Sequence, residues 1–104
     1  LHPYYIAPFL TDLTFAGNAS NPGIAYYYNQ GDTICVTFEK VPFWTNNTNQ
    51  YSGDNTFQII LNKADSSITF NYKTQIGTPD PAYTTNSLVI GIENNTGNDG
   101  LMYY

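Results

Sequence analysis

The sequence has very little positive charge. Its 104 residues include three Lys and no Arg against eight acidic residues, which gives a formal net charge of -5 at pH 7. Binding to nucleic acid depends on clustered Lys or Arg that neutralise phosphates, and anionic membrane surfaces attract the same residues. The composition therefore argues against nucleic acid and against anionic membranes as partners.

Cysteine, histidine and long apolar runs are also scarce. Cys35 is the only cysteine, so the chain has no internal disulfide. His2 is the only histidine, so a zinc site or a histidine-activated nucleophile would depend on one residue beside the N-terminal end. No apolar run approaches the ~18–20 residues of a membrane span. The sequence thus predicts no catalytic residues, no resident cofactor and no membrane insertion.

Strict alternation of apolar and polar residues is the strongest positive signal. It recurs in three consecutive segments, Asp32–Glu39, Thr56–Asn62 and Ser67–Lys73. Period-two patterning places each apolar set on one face of a pleated strand. We therefore expect these segments to cover one side of a shared core. The predicted core residues are Ile34, Val36, Phe38, Phe57, Ile59, Leu61, Ile68, Phe70, Leu88, Ile90 and Ile92.

Turn-rich segments divide the whole chain into short strands. Some eight of them at roughly ten-residue spacing, with no helix of useful length, predict an all-β antiparallel sandwich. We predict a single domain over residues 1–104, excised from a longer exported protein. The polar segment Lys40–Asp54 is predicted to be a long functional loop.

Aromatic residues in that segment suggest one candidate ligand site. Phe43, Trp44 and Tyr51 are the ring types that carbohydrate-binding modules use to stack on sugars. The alternative is that Phe43 and Trp44 fix the segment to the core while tyrosines pack between domains or subunits.

Aspartates and asparagines in predicted turns suggest two further kinds of site. Asp54 and Asp99 lie beside Gly or Asn, where Asp is an ordinary turn residue but also a ligand type for calcium. Three Asn-X-Ser/Thr triplets begin at Asn18, Asn46 and Asn94. They predict glycosylation only if the source of the protein has the machinery for it.

Several motifs together resemble a known extracellular family. Ile34–Trp44 (ICVTFEKVPFW), Asn55–Leu61 (NTFQIIL), Ile68–Tyr72 (ITFNY) and Val89–Glu93 (VIGIE) are similar to the nidogen-like domain, and Ala7-Pro8-Phe9 with Asp12 is similar to its opening motif. The resemblance implies a non-enzymatic adhesion or interaction module outside the cell. It supplies no catalytic residues.

The functional prediction from sequence is a non-catalytic structural or adhesive module of a secreted or cell-surface protein. Its expected partners are neighbouring domains or subunits, which dock on tyrosine-rich patches or by strand addition to a sheet edge. Two alternatives stay open at this stage. One is a carbohydrate-binding module that uses Trp44 and binds glycans, and the other is a subunit of a repeating extracellular filament.

Overall fold

Seven β-strands make up the computed structural model, which describes residues 4–80 and 88–103. The described residues form no helix, and thus none that crosses a membrane. The strands are β1 (Tyr5–Leu10), β2 (Ile24–Gln30), β3 (Thr33–Trp44), β4 (Tyr51–Asn62), β5 (Ser67–Ile76), β6 (Val89–Glu93) and β7 (Gly100–Met102).

The strands form two antiparallel sheets that pack together as a sandwich. The larger sheet has the order β2-β3-β4-β5, in which each strand pairs with the next along the chain. The smaller sheet has the order β1-β6-β7. The all-β sandwich predicted from the sequence is confirmed, with seven strands in the described residues instead of about eight.

The three alternating segments share one face of the larger sheet, as predicted. Their apolar residues lie directly opposite one another across β3, β4 and β5 in three rows. We call this the inner face, because the smaller sheet packs against part of it. The rows are Ile34 with Leu61 and Ile68, Val36 with Ile59 and Phe70, and Phe38 with Phe57 and Tyr72.

The fully buried core lies at one end of this face. Phe9 from β1 packs against Phe57, with ring centroids 5.2 Å apart, and Phe38 stacks on the same ring at 4.8 Å. Phe43 completes the cluster, against which Leu13, Leu88 and Ile90 pack while partly exposed.

The predicted core was too large. Of its eleven residues only Phe57 is fully buried, while Phe38, Leu88 and Ile90 are partly buried around it. Ile68 remains 39% exposed, and the rest of the set is half-buried. The two sheets contact each other mainly through β1 and β4. The smaller sheet therefore leaves much of the inner face uncovered. The radius of gyration of 14.8 Å accordingly exceeds the roughly 13 Å of a compact domain of this length.

The predicted loop Lys40–Asp54 was also wrong. β3 continues through Trp44 and β4 begins at Tyr51, so only residues 45–50 connect them. Lys40 has a φ of 54°, and the β3–β4 register shifts on both sides of Val41. This bulge buries three consecutive residues, Val41 to Phe43, and so removes the alternation that would have identified a strand.

Three hydrogen bonds hold the bulged part of β3 in place. The side-chain amide of the fully buried Asn55 donates to the Val41 carbonyl at 3.0 Å. On the other side of β3, the Thr14 amide donates to the Pro42 carbonyl at 3.1 Å, and the Trp44 amide donates to the Asp12 carbonyl at 2.9 Å. The second and third of these bonds extend the sheet past Pro42, which itself has no amide hydrogen to donate.

Candidate functional site

An apolar groove runs between the two sheets, from the edge of the core toward the other end of the inner face. It encloses about 340 Å³. One wall is β5 of the larger sheet and the other is formed by β6, β7 and Tyr103. The groove exists because the smaller sheet closes over the Phe57 end of the inner face only. Its lining residues are Ile68, Phe70, Tyr72, Ile90, Gly91, Ile92, Leu101 and Tyr103.

The side of the groove formed by β7 and Tyr103 is apolar but strongly exposed to solvent. Leu101, Met102 and Tyr103 are each at least 70% exposed to solvent. Gly91 in β6 permits the close approach of β7, since a Cβ atom at Gly91 would stand 2.5 Å from the Leu101 carbonyl oxygen. The contiguous apolar surface is a feature that usually marks a binding site.

One end of the groove is acidic. A second depression of about 420 Å³ shares Ile68, Ile92 and Leu101 with the first and is also lined by the acidic residues Glu93 and Asp99. The turn that carries Asp99 is closed by the Asn94 amide, which donates to the Asp99 carbonyl at 2.9 Å. The groove therefore has an apolar middle and a negatively charged end, a combination suited to an extended apolar segment with a basic group at one end.

Tyr72 closes the other end of the groove, next to the core. Its hydroxyl donates a hydrogen bond to the Pro8 carbonyl and so links the larger sheet to β1. Burial raises the pKa of the Tyr72 phenol above its usual value of 10.0, and the nearby phenol of Tyr103 adds to the shift. Ionisation of Tyr72 would remove the donated hydrogen bond between the sheets.

This raised pKa predicts a loss of stability in alkaline solution. Because the folded-state pKa lies above the unfolded value of about 10, the contribution is complete below that pH and disappears as pH rises through the folded-state pKa. We expect Tyr72→Phe to flatten the decline of the free energy of unfolding above about pH 10, measured by urea denaturation. The control is Tyr27→Phe, at a mostly exposed side chain, which should keep the native decline. An unchanged decline in Tyr72→Phe would contradict the prediction.

The predicted aromatic platform is not assembled as expected. Phe43 is buried in the core, so its ring is not available to a ligand. Trp44 and Tyr51 are cross-strand neighbours at the ends of β3 and β4, and both are half-buried. The Tyr51 hydroxyl lies 2.7 Å from the Ser20 hydroxyl and donates to Asn18 Oδ1 at 3.3 Å. Tyr51 thus holds the loop between β1 and β2 against β4.

The part of the chain that the structure describes has no cluster of calcium ligands around the two predicted aspartates. Asp54 is in β4 opposite Ile76, whereas Asp99 is in the turn between β6 and β7. Among residues 4–80 and 88–103, no three His, Cys, Asp or Glu side chains converge to hold a metal ion. Asp54 Oδ1 is buried and has no hydrogen-bond partner among the described residues, but one buried acceptor is not a set of ligands. Calcium binding remains a prediction without structural support.

The three triplet asparagines are all exposed and outside the strands. Asn18 donates to Asn49 Oδ1 at 2.6 Å and accepts from the Ser20 amide at 3.0 Å. The backbone amide of Asn46 donates to Asp80 Oδ2 at 3.0 Å, and Asn94 Oδ1 accepts from the Thr96 amide at 3.3 Å. A glycan could reach each position, although at Asn18 it would displace hydrogen bonds that order the loop.

The two glutamates of the chain lie in different sheets. Glu39 is in β3 of the larger sheet, and Glu93 is in β6 of the smaller sheet. His2 lies outside the described residues. Cys35 is a free, half-buried thiol whose sulfur is 3.9 Å from Thr37 Oγ1.

The core predicted from the sequence includes four of the eight residues that line the groove, but the sequence did not predict the groove itself. Sequence reasoning assigned Ile68, Phe70 and Ile92 to the core, and the structure places them along an open cleft. Their alternation indicates an apolar face and carries no signal for whether another sheet covers it.

Comparison with protein families, with curated proteins and with solved structures finds no match for this chain. The resemblance to the nidogen-like domain therefore has no support from these comparisons and stays a prediction from motifs.

Proposed function

We propose that this chain is a non-catalytic interaction module of a secreted or cell-surface protein, and that it binds an extended apolar segment of a partner in the groove between its sheets. The observation that carries the proposal is the open groove itself, with Ile68, Ile92 and Leu101 at its centre. The partner segment belongs to a neighbouring domain or subunit.

The edge strands beside the groove support an extended partner. β5 and β7 are the outer strands of their sheets, and both border the cleft. A bound segment in β-conformation would add backbone hydrogen bonds to Ser67–Tyr72, the regular part of β5 before its bulge, and insert alternate side chains between the sheets. Such binding uses apolar area and main-chain hydrogen bonds, and it needs no catalytic group.

The composition supports an exported setting. Charged residues make up only 11% of the chain, so its solubility depends on uncharged polar side chains. That composition is typical of secreted and surface β-domains, and the low charge also suits a module whose surfaces are buried in an assembly.

The test uses a labelled synthetic peptide of about six residues, the usual length of a strand. Leucine alternates with threonine in the peptide, and one end carries lysine. We expect saturable binding in fluorescence anisotropy with a Kd of about 10–100 μM, as for a small transient interface. Replacing the lysine by glutamate should weaken binding, and Glu93→Gln with Asp99→Asn should remove that difference.

Matched variants locate the binding site. Ile68→Ser with Leu101→Ser removes apolar lining from the groove, and we expect it to raise the Kd at least tenfold. Ile24→Ser with Ile76→Ser removes two exposed isoleucines outside the groove and should leave the Kd unchanged. The proposal fails if no peptide binds saturably, or if both pairs of substitutions affect binding equally.

A further inference from the structure

We propose that β2 pairs edge to edge with β2 of a second copy of this chain, which joins two larger sheets into one continuous sheet. The proposal concerns a surface distinct from the groove. It goes beyond the proposed function, and neither depends on the other.

The four outer strands in the described part of the chain differ in how they are protected. An unpaired strand edge is a template for pairing with another chain, and proteins block it with proline, lysine, bulges or very short strands. β1 contains Pro8 and a register break between Ala7 and Leu10. β7 is three residues long. In β5 the extra residue of a bulge is Lys73, between Tyr72 and Thr74.

β2 carries none of these devices. Its sequence, IAYYYNQ, has no charge, no proline and no glycine. All seven residues pair with β3 without a register shift, so the strand is long and regular on its paired side. All seven are also exposed. Among the described residues no strand covers the other side of β2. It is therefore the one of these four outer strands that is open to pairing along its whole length.

The side chains of β2 are suited to a second copy because they are symmetric about Tyr27. In an antiparallel pairing centred there, Tyr27 meets Tyr27, and Tyr26 meets Tyr28, across the two-fold axis. Tyr27 lies on the inner face beside Val36, whereas Tyr26 and Tyr28 lie on the outer face beside Thr37 and Cys35. Tyrosine thus faces tyrosine at the three central positions, on both faces of the joined sheet.

Charge does not oppose this contact. The whole chain carries a net charge of -5, which repels copies in most orientations. The β2 edge itself holds no charged residue, so no like charges stand directly opposite each other in the joined strands. Of the possible contacts between two copies, pairing through β2 is one that keeps the acidic residues apart.

The area available indicates a weak, reversible dimer. The three tyrosines are 50–76% exposed, and an aromatic side chain covers about 150–250 Å² when fully buried. With Ile24 and the strand backbone, each copy contributes roughly 500 Å², which brings the total close to the ~1,000 Å² lower limit of specific interfaces. We expect a Kd in the range of about 10–100 μM.

Dimerisation through β2 would leave both grooves accessible. β2 and β5 are opposite edges of the larger sheet, so the two grooves of a dimer lie at the far ends of the joined sheet. The dimer is then bivalent for the partner segment, which raises its avidity for a partner that presents several such segments.

Sedimentation velocity over a wide concentration range tests the proposal, with charge-swapped variants at the two-fold axis. Tyr27→Lys and Tyr27→Glu each place like charges opposite each other, and we expect each alone to weaken the dimer at least tenfold. An equimolar mixture of the two variants should restore the dimer, because residue 27 meets its own counterpart only in this register. Ile76→Lys, at an exposed position on the opposite edge, is the matched control and should dimerise like the native chain.

Three outcomes would overturn the proposal. They are a native chain that stays monomeric at about millimolar concentration, a Tyr27→Lys variant that dimerises normally, and a mixture that fails to re-form the dimer. If either variant does not fold, hydrogen exchange of the native chain decides, since β2 amides should gain protection as concentration rises. Peptide binding to Tyr27→Lys separates the two proposals, because a monomer that still binds the peptide retains the groove function.

Discussion

Phe57→Ala is expected to lower the free energy of unfolding by about 3–5 kcal/mol, the usual cost of truncating a buried phenylalanine. The ring contacts Phe9 at 5.2 Å and Phe38 at 4.8 Å, and its side chain is almost fully buried. The cavity left by the substitution therefore sits between the two sheets. Because a domain has only about 5–15 kcal/mol of stability in total, the variant should lose much of it.

Phe70→Ala is the matched comparison for this experiment. Phe70 lies on the same inner face, but it lines the groove and is only half-buried. We expect a cost of about 1–2 kcal/mol, because less apolar area returns to water. Both values come from urea denaturation followed by circular dichroism. Equal costs for the two substitutions would show that the groove end is as well covered as the core end.

Gly53→Ala is expected to cost about 2–5 kcal/mol, the second large effect. Gly53 has a φ of 85°, a conformation that disfavours any side chain, and a Cβ atom there would stand 2.3 Å from the Ile76 carbonyl oxygen. The obstructing atom belongs to the β5 backbone and cannot rotate away. The β4–β5 pairing must therefore open beside the Phe43 ring, which is 3.1 Å from the same Cβ position.

Gly31→Ala separates backbone strain from steric conflict. Gly31 also has a positive φ, of 58°, but no atom lies within 4 Å of its Cβ position. We expect this substitution to cost only about 1 kcal/mol. Comparing the two denaturation midpoints isolates the contribution of the close approach between β4 and β5. A Gly53→Ala variant as stable as Gly31→Ala would show that β5 yields easily at Ile76.

Local pattern determined the strands and their faces. In Thr33–Phe38, Phe57–Leu61 and Ile68–Phe70 the pleat alternates side chains between faces, so apolar spacing alone predicted which residues share a surface. The cross-strand rows from Ile34 to Phe38 confirm that surface. The same reasoning failed at Lys40, because a bulge with a positive φ buries successive residues and the alternation disappears.

The tertiary structure decided how much of that surface is covered. Ile68 and Phe57 have the same apolar character and lie on the same face, yet one lines an open groove and the other is the centre of the core. The difference comes from where β1, β6 and β7 lie against the larger sheet, which depends on contacts between residues far apart in the chain. Alternation records the direction of a side chain relative to its own backbone, whereas burial depends on what packs against it.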